Sequence, residues 1–251
     1  MEFQRNRYVG AVVWRRPAPE WSYINRIPVV QYLKANERIE LHSPVTFLVG
    51  ENGTGKSTLL EAIAVEAGMN PEGGTKNFTF STRKTHSDLC DCIALAKYGH
   101  PRDGFFLRAE SIYNVASNID DLDEFGSGPR IIDSYGGVSL HKQSHGESFL
   151  AIMEKRFGGN GLYILDEPEA ALSPMRLMRM MVRMNELVRR NSQFIISTHS
   201  PMLMAYPGAE ILELSKNGVR SVSYKETEHY QTTLRFLQNP EKMLGYLFED
   251  D

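Results

Sequence analysis

Residues 50 to 58 read Gly-Glu-Asn-Gly-Thr-Gly-Lys-Ser-Thr. This set of residue types suits the binding of phosphate. Phosphate oxygens must be met by several backbone N–H groups at once, so the chain must wrap tightly around them. Gly50, Gly53 and Gly55 permit the dihedrals that such a wrap needs. Glu51, Asn52 and Thr54 fill the spacing between them. Lys56 can reach the β- and γ-phosphates, and the Ser57 hydroxyl, followed by Thr58, can ligate Mg2+. A helix start disfavours a cation, so Lys56 makes little sense there unless phosphate faces it. ATP with Mg2+ is the predicted ligand.

A second constellation lies at the end of an apolar run. Leu162-Tyr163-Ile164-Leu165 leads directly into Asp166-Glu167, and Pro168 stops it. Acids are common in turns, so this feature alone says little. Beside a phosphate loop it has a chemical meaning: Asp166 can hold Mg2+, and Glu167 can take a proton from an attacking water. A third run, Phe194 to Ser197, ends at Thr198-His199. A lone histidine is usually a satisfied core or surface group. At a strand end in this order, His199 becomes a second catalytic candidate.

These groups need elements to hold them. Val45 to Val49 is a short apolar run bounded by turn signals, which predicts a strand buried on both faces. A helix is predicted over 56–64, with Leu59, Leu60 and Ile63 at helical spacing. Further strands are expected at 8–14, 38–42, 105–107, 162–165 and 194–197. Helices are expected at 147–156, 175–190 and through most of 226–250. Residues 211–214 and 219–224 flank Asn217-Gly218, a strong hairpin dipeptide. Residues 66–88 and 117–137 are polar and glycine-rich and read as loops.

The alternation predicts an α/β fold with a mainly parallel sheet flanked by helices. An N-terminal antiparallel β portion and a helical lobe complete it. One domain over 1–251 is expected: core motifs at 45–201, an inserted loop-rich and helical lobe at about 66–156, and a C-terminal helical segment at 226–250. Ligands in such sheets sit at the carboxyl ends of the strands, where these residues fall.

The chain has 251 residues, 41% of them hydrophobic, enough for a sizeable core. Its net charge of -3 argues against a constitutive grip on a polyanion. Cys90 and Cys92 form no disulfide framework or zinc site and read as reduced thiols. No apolar run approaches the length of a membrane span, and Met1 to Trp14 lacks the apolar centre of a secretory signal. A cytoplasmic protein is expected.

Taken together, the motifs resemble those of ABC-type ATPases, a class of P-loop NTPase. Gly50 to Ser57 fits Walker A. The strand end at 162–167, followed by Pro168-Glu169-Ala170-Ala171-Leu172-Ser173, looks like Walker B and the D-loop. Ser144-His145-Gly146-Glu147-Ser148 stands where that family carries its signature loop. It is similar to the Ser-x-Gly-Glu form of the SMC and recombination-repair branch and departs from the Leu-Ser-Gly-Gly-Gln form of transporters. Phe194 to Pro201 resembles the switch-histidine strand. The resemblance spans 45–201 with the motifs in order, and it looks closest to small stand-alone ATPases related to the SMC and recombination-repair heads. Coiled-coil arms, a zinc hook and a clear Q-loop glutamine are missing. Glu110 stands nearest to that glutamine and joins Ser57 and Asp166 as a metal candidate.

The resemblance implies hydrolysis of ATP to ADP and phosphate, with Glu167 and His199 as catalytic groups. It also implies an ATP-dependent homodimer in which Ser144, Gly146 and Glu147 close the neighbour's nucleotide site. A role in nucleic-acid maintenance or defence is one reading of the coupled task. A nucleotide switch with little turnover is another, disfavoured by Glu167. An ABC transporter ATPase is a third, disfavoured by the signature variant and the missing glutamine, so a membrane subunit is not expected as partner.

Arg176, Arg179 and Arg183 share a helix face and read either as a solvated basic face or as a nucleic-acid contact. Met175, Met178 and Met181 are expected in the core. Trp21 and Tyr23 are candidates for adenine stacking or for plain packing. Leu234, Leu237, Leu244 and Leu247 are expected to dock an amphipathic C-terminal region.

Overall fold

The computed structural model describes residues 7–71, 73–75, 87–125 and 130–248. Its elements run β1 (Val9–Trp14), α1 (Pro28–Asn36), β2 (Arg38–Glu40), β3 (Val45–Val49), α2 (Lys56–Glu66), α3 (Leu89–Cys92), β4 (Ile93–Lys97), β5 (Asp103–Arg108) and α4 (Ile112–Phe125). They continue with α5 (His145–Ala151), β6 (Gly161–Asp166), α6 (Pro174–Arg189), β7 (Gln193–Ser197), α7 (Pro201–Met204), β8 (Glu210–Ser215), β9 (Gly218–Ser221), α8 (Glu228–Gln238) and α9 (Pro240–Phe248).

The larger sheet has the order β5-β6-β7-β3-β8-β9. Every neighbouring pair from β5 to β8 is parallel, and only β9 returns antiparallel. The smaller sheet, β2-β1-β4, is antiparallel. β3 is central and buried at all five positions. The period of two along a strand sorts its side chains to two faces. Val45, Phe47 and Val49 join Tyr163, Leu165, Phe194 and Ile196 in a core against α4, α5 and α6. Leu48 joins Leu162, Ile164 and Ile195 in the opposite core, against α1, α2 and the small sheet. This doubly covered parallel sheet is the expected fold class.

One buried side chain ties the two sheets together. The Gln193 amide nitrogen donates to the Val9 carbonyl at 2.8 Å. Its oxygen accepts from the Val9 and Tyr8 amides at 2.9 and 2.7 Å. A glutamine on β7 thereby completes the pairing that β1 cannot make with another strand.

Several expectations change. α1 is an element not expected from the sequence, with Val29, Val30 and Leu33 buried at helical spacing. β4 is another, and with β5 it puts strands inside the span 66–156, which therefore is not only loop and helix. The stretch 117–137 begins as helix, since α4 runs to Phe125. Ile112, Val115, Ala116 and Ile119 form its buried face, and the acids that suggested a loop lie outside that face. The loop expectation for 66–88 falls largely on 76–86, outside the described residues. The hairpin turn is Lys216-Asn217, one residue earlier than expected, with Gly218 paired to Ser215. Met175 and Met178 are 72% and 40% exposed rather than core. The C-terminal helices have no buried residues, so their leucines do not form the docking face expected; Leu237 and Leu247 are 70% and 69% exposed, and α8 meets the rest of the chain near its start.

Candidate active site

Strand register places the chemistry in one row. Arg108 on β5 pairs with Asp166 on β6, Asp166 with Ser197 on β7, and Ser197 with Leu48 on β3. The loop 50–55 leaves β3 just beyond this row and turns into α2. A Cβ on Gly50, whose φ is +135°, would lie 2.1 Å from the Leu214 carbonyl oxygen. The loop can therefore press against β8 only as glycine. Thr54 braces the far side, donating from Oγ1 to the Glu51 carbonyl at 2.8 Å and accepting from the Val29 amide at 3.2 Å.

Lys56 is buried at the mouth of the loop. Its Nζ donates to the carbonyls of Gly50 at 2.7 Å and Glu51 at 3.1 Å. Burial pushes its pKa down, and the carboxylates of Glu167, Asp166 and Glu169 oppose that shift. A cation held this way, with the N-terminus of α2 beside it, is a receptor for polyphosphate.

Asp166 is nearly buried and multiply held. It accepts from Ser57 Oγ at 3.1 Å, from Ser197 Oγ in a short bond, and from Arg108 Nε at 3.2 Å. A hydroxyl and a carboxylate 3.1 Å apart offer hard oxygen donors that fit Mg2+. Among the described residues no group of three or more His, Cys, Asp or Glu could hold a metal ion. The rest of a coordination shell must come from phosphate and water, as is usual for Mg2+.

Glu167 adopts a left-handed conformation, φ 47° and ψ 56°, uncommon for a side chain of its size. Its amide donates to the Ser197 carbonyl at 3.1 Å, and Pro168 follows. The turn aims the carboxylate outward, 42% exposed and 3.6 Å from His199 Nε2. Burial and the Lys56 charge push the His199 pKa down, with Glu167 opposing, so a neutral imidazole faces a carboxylate suited to accept a proton.

Three depressions meet at the loop. Gly53, Gly55, Lys56, Ser57, Thr58 and Glu167 line the first, with Tyr23. Ser57, Arg108, Glu110, Asp166 and Glu167 line the second. Glu51, Asn52, His199 and His229 line the third. The structure thus gathers Glu110 with the other metal candidates, although it is 78% exposed and 3.7 Å from Arg108. Tyr23 is placed beside the loop; Trp21 lines none of these depressions.

Ser144, Gly146 and Glu147 line none of the three either. Ser144 caps α5, with its hydroxyl and amide bonded to Glu147 at 2.7 and 2.9 Å. A Cβ on Gly146 would meet the Ala171 carbonyl at 2.7 Å, so the glycine lets α5 approach the segment after Glu167. Arg176 bonds Glu147 at 3.2 Å, Arg179 bonds Glu154 through two nitrogens, and Arg183 bonds three backbone carbonyls and Glu186. Arg176 joins α6 to α5, Arg179 and Arg183 join it to the turn at 153–157 that follows, and all three are engaged within the chain, which removes the support for a free basic face.

Four participants were not foreseen: Arg108, Glu169, Ser197 and His229. Glu169 accepts from Thr198 Oγ1 at 2.8 Å and from the His199 amide, linking the segment after β6 to that after β7. A polar residue ending a third parallel strand was the available signal for Arg108. Nothing in the local sequence marks His229, which comes from α8.

Comparison with known proteins agrees with this geometry. A family model described as an AAA domain matches residues 29–86, and another, described as "AAA domain, putative AbiEii toxin, Type IV TA system", matches 139–205. The first segment holds the loop; the second holds Ser144, Asp166, Glu167 and His199. The cytochrome c biogenesis ATP-binding export protein CcmA of Legionella pneumophila is 28% identical over 179 residues, 66% of this chain and 86% of that protein. The motifs and these matches are those of a P-loop ATPase of the ABC type. An uncharacterized ABC transporter ATP-binding protein of Haemophilus influenzae is 27% identical over 184 residues, 67% of this ATPase and 69% of that protein. The ATPase shares its fold with CbiO1 of Clostridium perfringens, part of the ABC transporter complex CbiONQ, with a TM-score of 0.50 at 16% identity over 97% of this chain and 100% of that one.

These relatives overturn the expectation that a membrane subunit is an improbable partner. Similar proteins are themselves named for export and transport. The signature variant and the missing glutamine therefore do not set this ATPase apart from transport ATPases, and these relatives do not carry the narrower likeness to SMC heads. Among the described residues, no helix is long and apolar enough to cross a membrane.

Proposed function

We propose that the ATPase is the nucleotide-hydrolysing part of a membrane-associated assembly, working as a pair of chains that close around ATP. The observation that carries the hydrolytic part is the convergence of Lys56, Ser57, Asp166 and Glu167 at one end of the parallel sheet. Residues 50–58 hold the phosphates through backbone N–H groups, with Lys56 as counter-charge. Ser57 and Asp166 hold Mg2+, with Glu110 at the rim of the same depression. Held there, Mg2+ would supply counter-charge to the phosphates. Glu167 accepts a proton from the attacking water, and His199 Nε2 lies beside it at 3.6 Å.

The pairing rests on Ser144, Gly146 and Glu147, which line none of the depressions at their own loop; Ser144 and Glu147 are exposed, and Gly146 is buried beside them. They face a nucleotide only if another chain supplies it, and a two-fold arrangement satisfies both sites at once. One domain over 1–251 serves as the half-unit. The membrane partner rests on the relatives, whose names tie them to export and transport.

The test is phosphate release by the purified chain with and without Mg2+, together with its mass in solution with ATP. The reading requires Mg2+-dependent release, a dimer favoured by ATP, and co-purification with a polytopic protein from detergent extracts. Nucleotide binding without turnover would leave a switch instead; a monomer with full turnover would remove the pair.

A further inference from the structure

α8 brings a second histidine to the first. Its start is fixed by Thr227, a fully buried residue whose hydroxyl accepts from the Tyr230 amide at 3.3 Å and donates to the Tyr224 carbonyl at 2.8 Å. His229, two residues on, is thereby held with its Nε2 2.9 Å from Nδ1 of His199. The ring centroids are 5.1 Å apart. The backbone amide of His199 is bound to Glu169, so the ring is held from both ends.

Two ring nitrogens at this distance share one proton: one donates and the other accepts. The opposite edge of His199 decides which. Its Nε2 lies 3.6 Å from a Glu167 carboxylate oxygen. With the proton on Nδ1, the bare Nε2 lone pair would face that carboxylate. With the proton on Nε2, that edge offers a donor to Glu167, and Nδ1 accepts from His229. Burial pushes both imidazoles toward the neutral form. The charges facing the pair are Lys56, Glu167, Glu169 and Glu228, with Glu51 in the same depression.

We infer that His229 is a positioning residue that holds His199 as its Nε2–H tautomer, so that a proton donor always faces Glu167 and the terminal phosphate. This rests on the hydrolytic reading above. It makes α8, a helix outside both sheets, part of the turnover machinery: displacing α8 would slow hydrolysis without touching the phosphate loop.

The test pairs kinetics with a measurement that needs no turnover. Histidine 15N spectra of the nucleotide-free protein at about pH 8, above the ordinary imidazole range, should show His199 as the Nε2–H tautomer. His229→Ala should convert it to a mixture. The same change should lower kcat about tenfold, the worth of one hydrogen bond, with KM for ATP within about twofold. His229→Gln keeps an amide donor and should recover most of kcat. An Nδ1–H tautomer in the parent protein, or an unaltered tautomer and kcat in His229→Ala, would overturn the inference. Absence of phosphate release by the parent protein would instead overturn the hydrolytic reading, whatever the spectra show.

Discussion

Arg108 Nε lies 3.2 Å from Oδ2 of Asp166, with the two side chains only 17% and 8% exposed. The same guanidinium reaches Glu61 on α2 at 3.1 Å. The buried acid at the tip of β6 therefore has a counter-charge built into the protein. A divalent cation bound by Asp166 and Ser57 must share that carboxylate with Arg108.

Replacing Arg108 with Met should have two opposed effects. The nucleotide-free protein should lose about 3 kcal/mol, as when one partner of a buried ion pair is removed. Half-saturation of turnover by Mg2+ should move to several-fold lower concentration, because the competing cation is gone. Urea unfolding and a Mg2+ titration check the two separately. An unchanged Mg2+ requirement would show that Arg108 serves structure only.

Lys56→Ala should lower ATP affinity at least about a hundredfold, since it removes the charged donor facing the phosphates. Calorimetry on the purified variant reads this directly. Affinity within threefold of the parent protein would mean that the loop binds no polyphosphate.

Glu167→Gln keeps the shape of the turn and removes the base. Turnover should fall by about a hundredfold to ten-thousandfold, the usual worth of general base catalysis, while ATP binding stays near the parent value. Size-exclusion in ATP should then show a persistent pair. Retained turnover would transfer the role of base to another residue.

The loop, the acidic strand end and the histidine strand were legible because each joins a short apolar run to a polar end, and β3, β6 and β7 appeared within a residue or two of their expected limits. What was not legible depends on register and on distance along the chain. Arg108 acts because β5 pairs in step with β6, which no local pattern reports. His229 acts because α8 returns to the site, and its neighbours in sequence carry no chemical motif. The expected loop at 117–137 overlaps the end of α4 because that stretch is polar and glycine-rich in composition, whereas Ile112, Val115, Ala116 and Ile119 decide the helix by burial. The membrane partner differs for another reason: the signature variant and the missing glutamine are local features, and neither reports the likeness of the longer chain to proteins named for export and transport.

Gln193→Leu should separate the two sheets energetically. The glutamine is fully buried, and three backbone groups depend on it. Leaving buried polar groups unmade costs about 1–3 kcal/mol each, so a loss of about 3 kcal/mol in urea unfolding is expected. Amide exchange in β1 should quicken more than in β3. Equal effects on both strands would deny the residue its linking role.

Stability should fall on acidification through the histidine pair. Both pKa values are lowered, His199 by burial and then Lys56, His229 by burial and then His199. The unfolded chain takes up these protons near about pH 6.5, before the folded chain does. The contribution is therefore complete above about pH 7.5. It is lost as pH falls through the folded values. Thermal unfolding between about pH 8 and 5 should show this decline, and His199→Asn with His229→Gln should flatten it. An equal slope in the double variant would assign the decline to carboxylates alone.

The place of β3 has a consequence for synthesis. Its two neighbours, β7 and β8, are made last among the parallel strands, with residues 193–197 and 210–215. Through most of translation the segment 45–49 has bare edges on both sides and four apolar residues without a core, a state open to misassociation. Such distant pairing folds slowly. Nucleotide favours only the finished form, so it cannot rescue a nascent chain, and a chain cut short before Glu210 would lack one wall of its central strand and would depend on chaperones rather than on ATP at its own site.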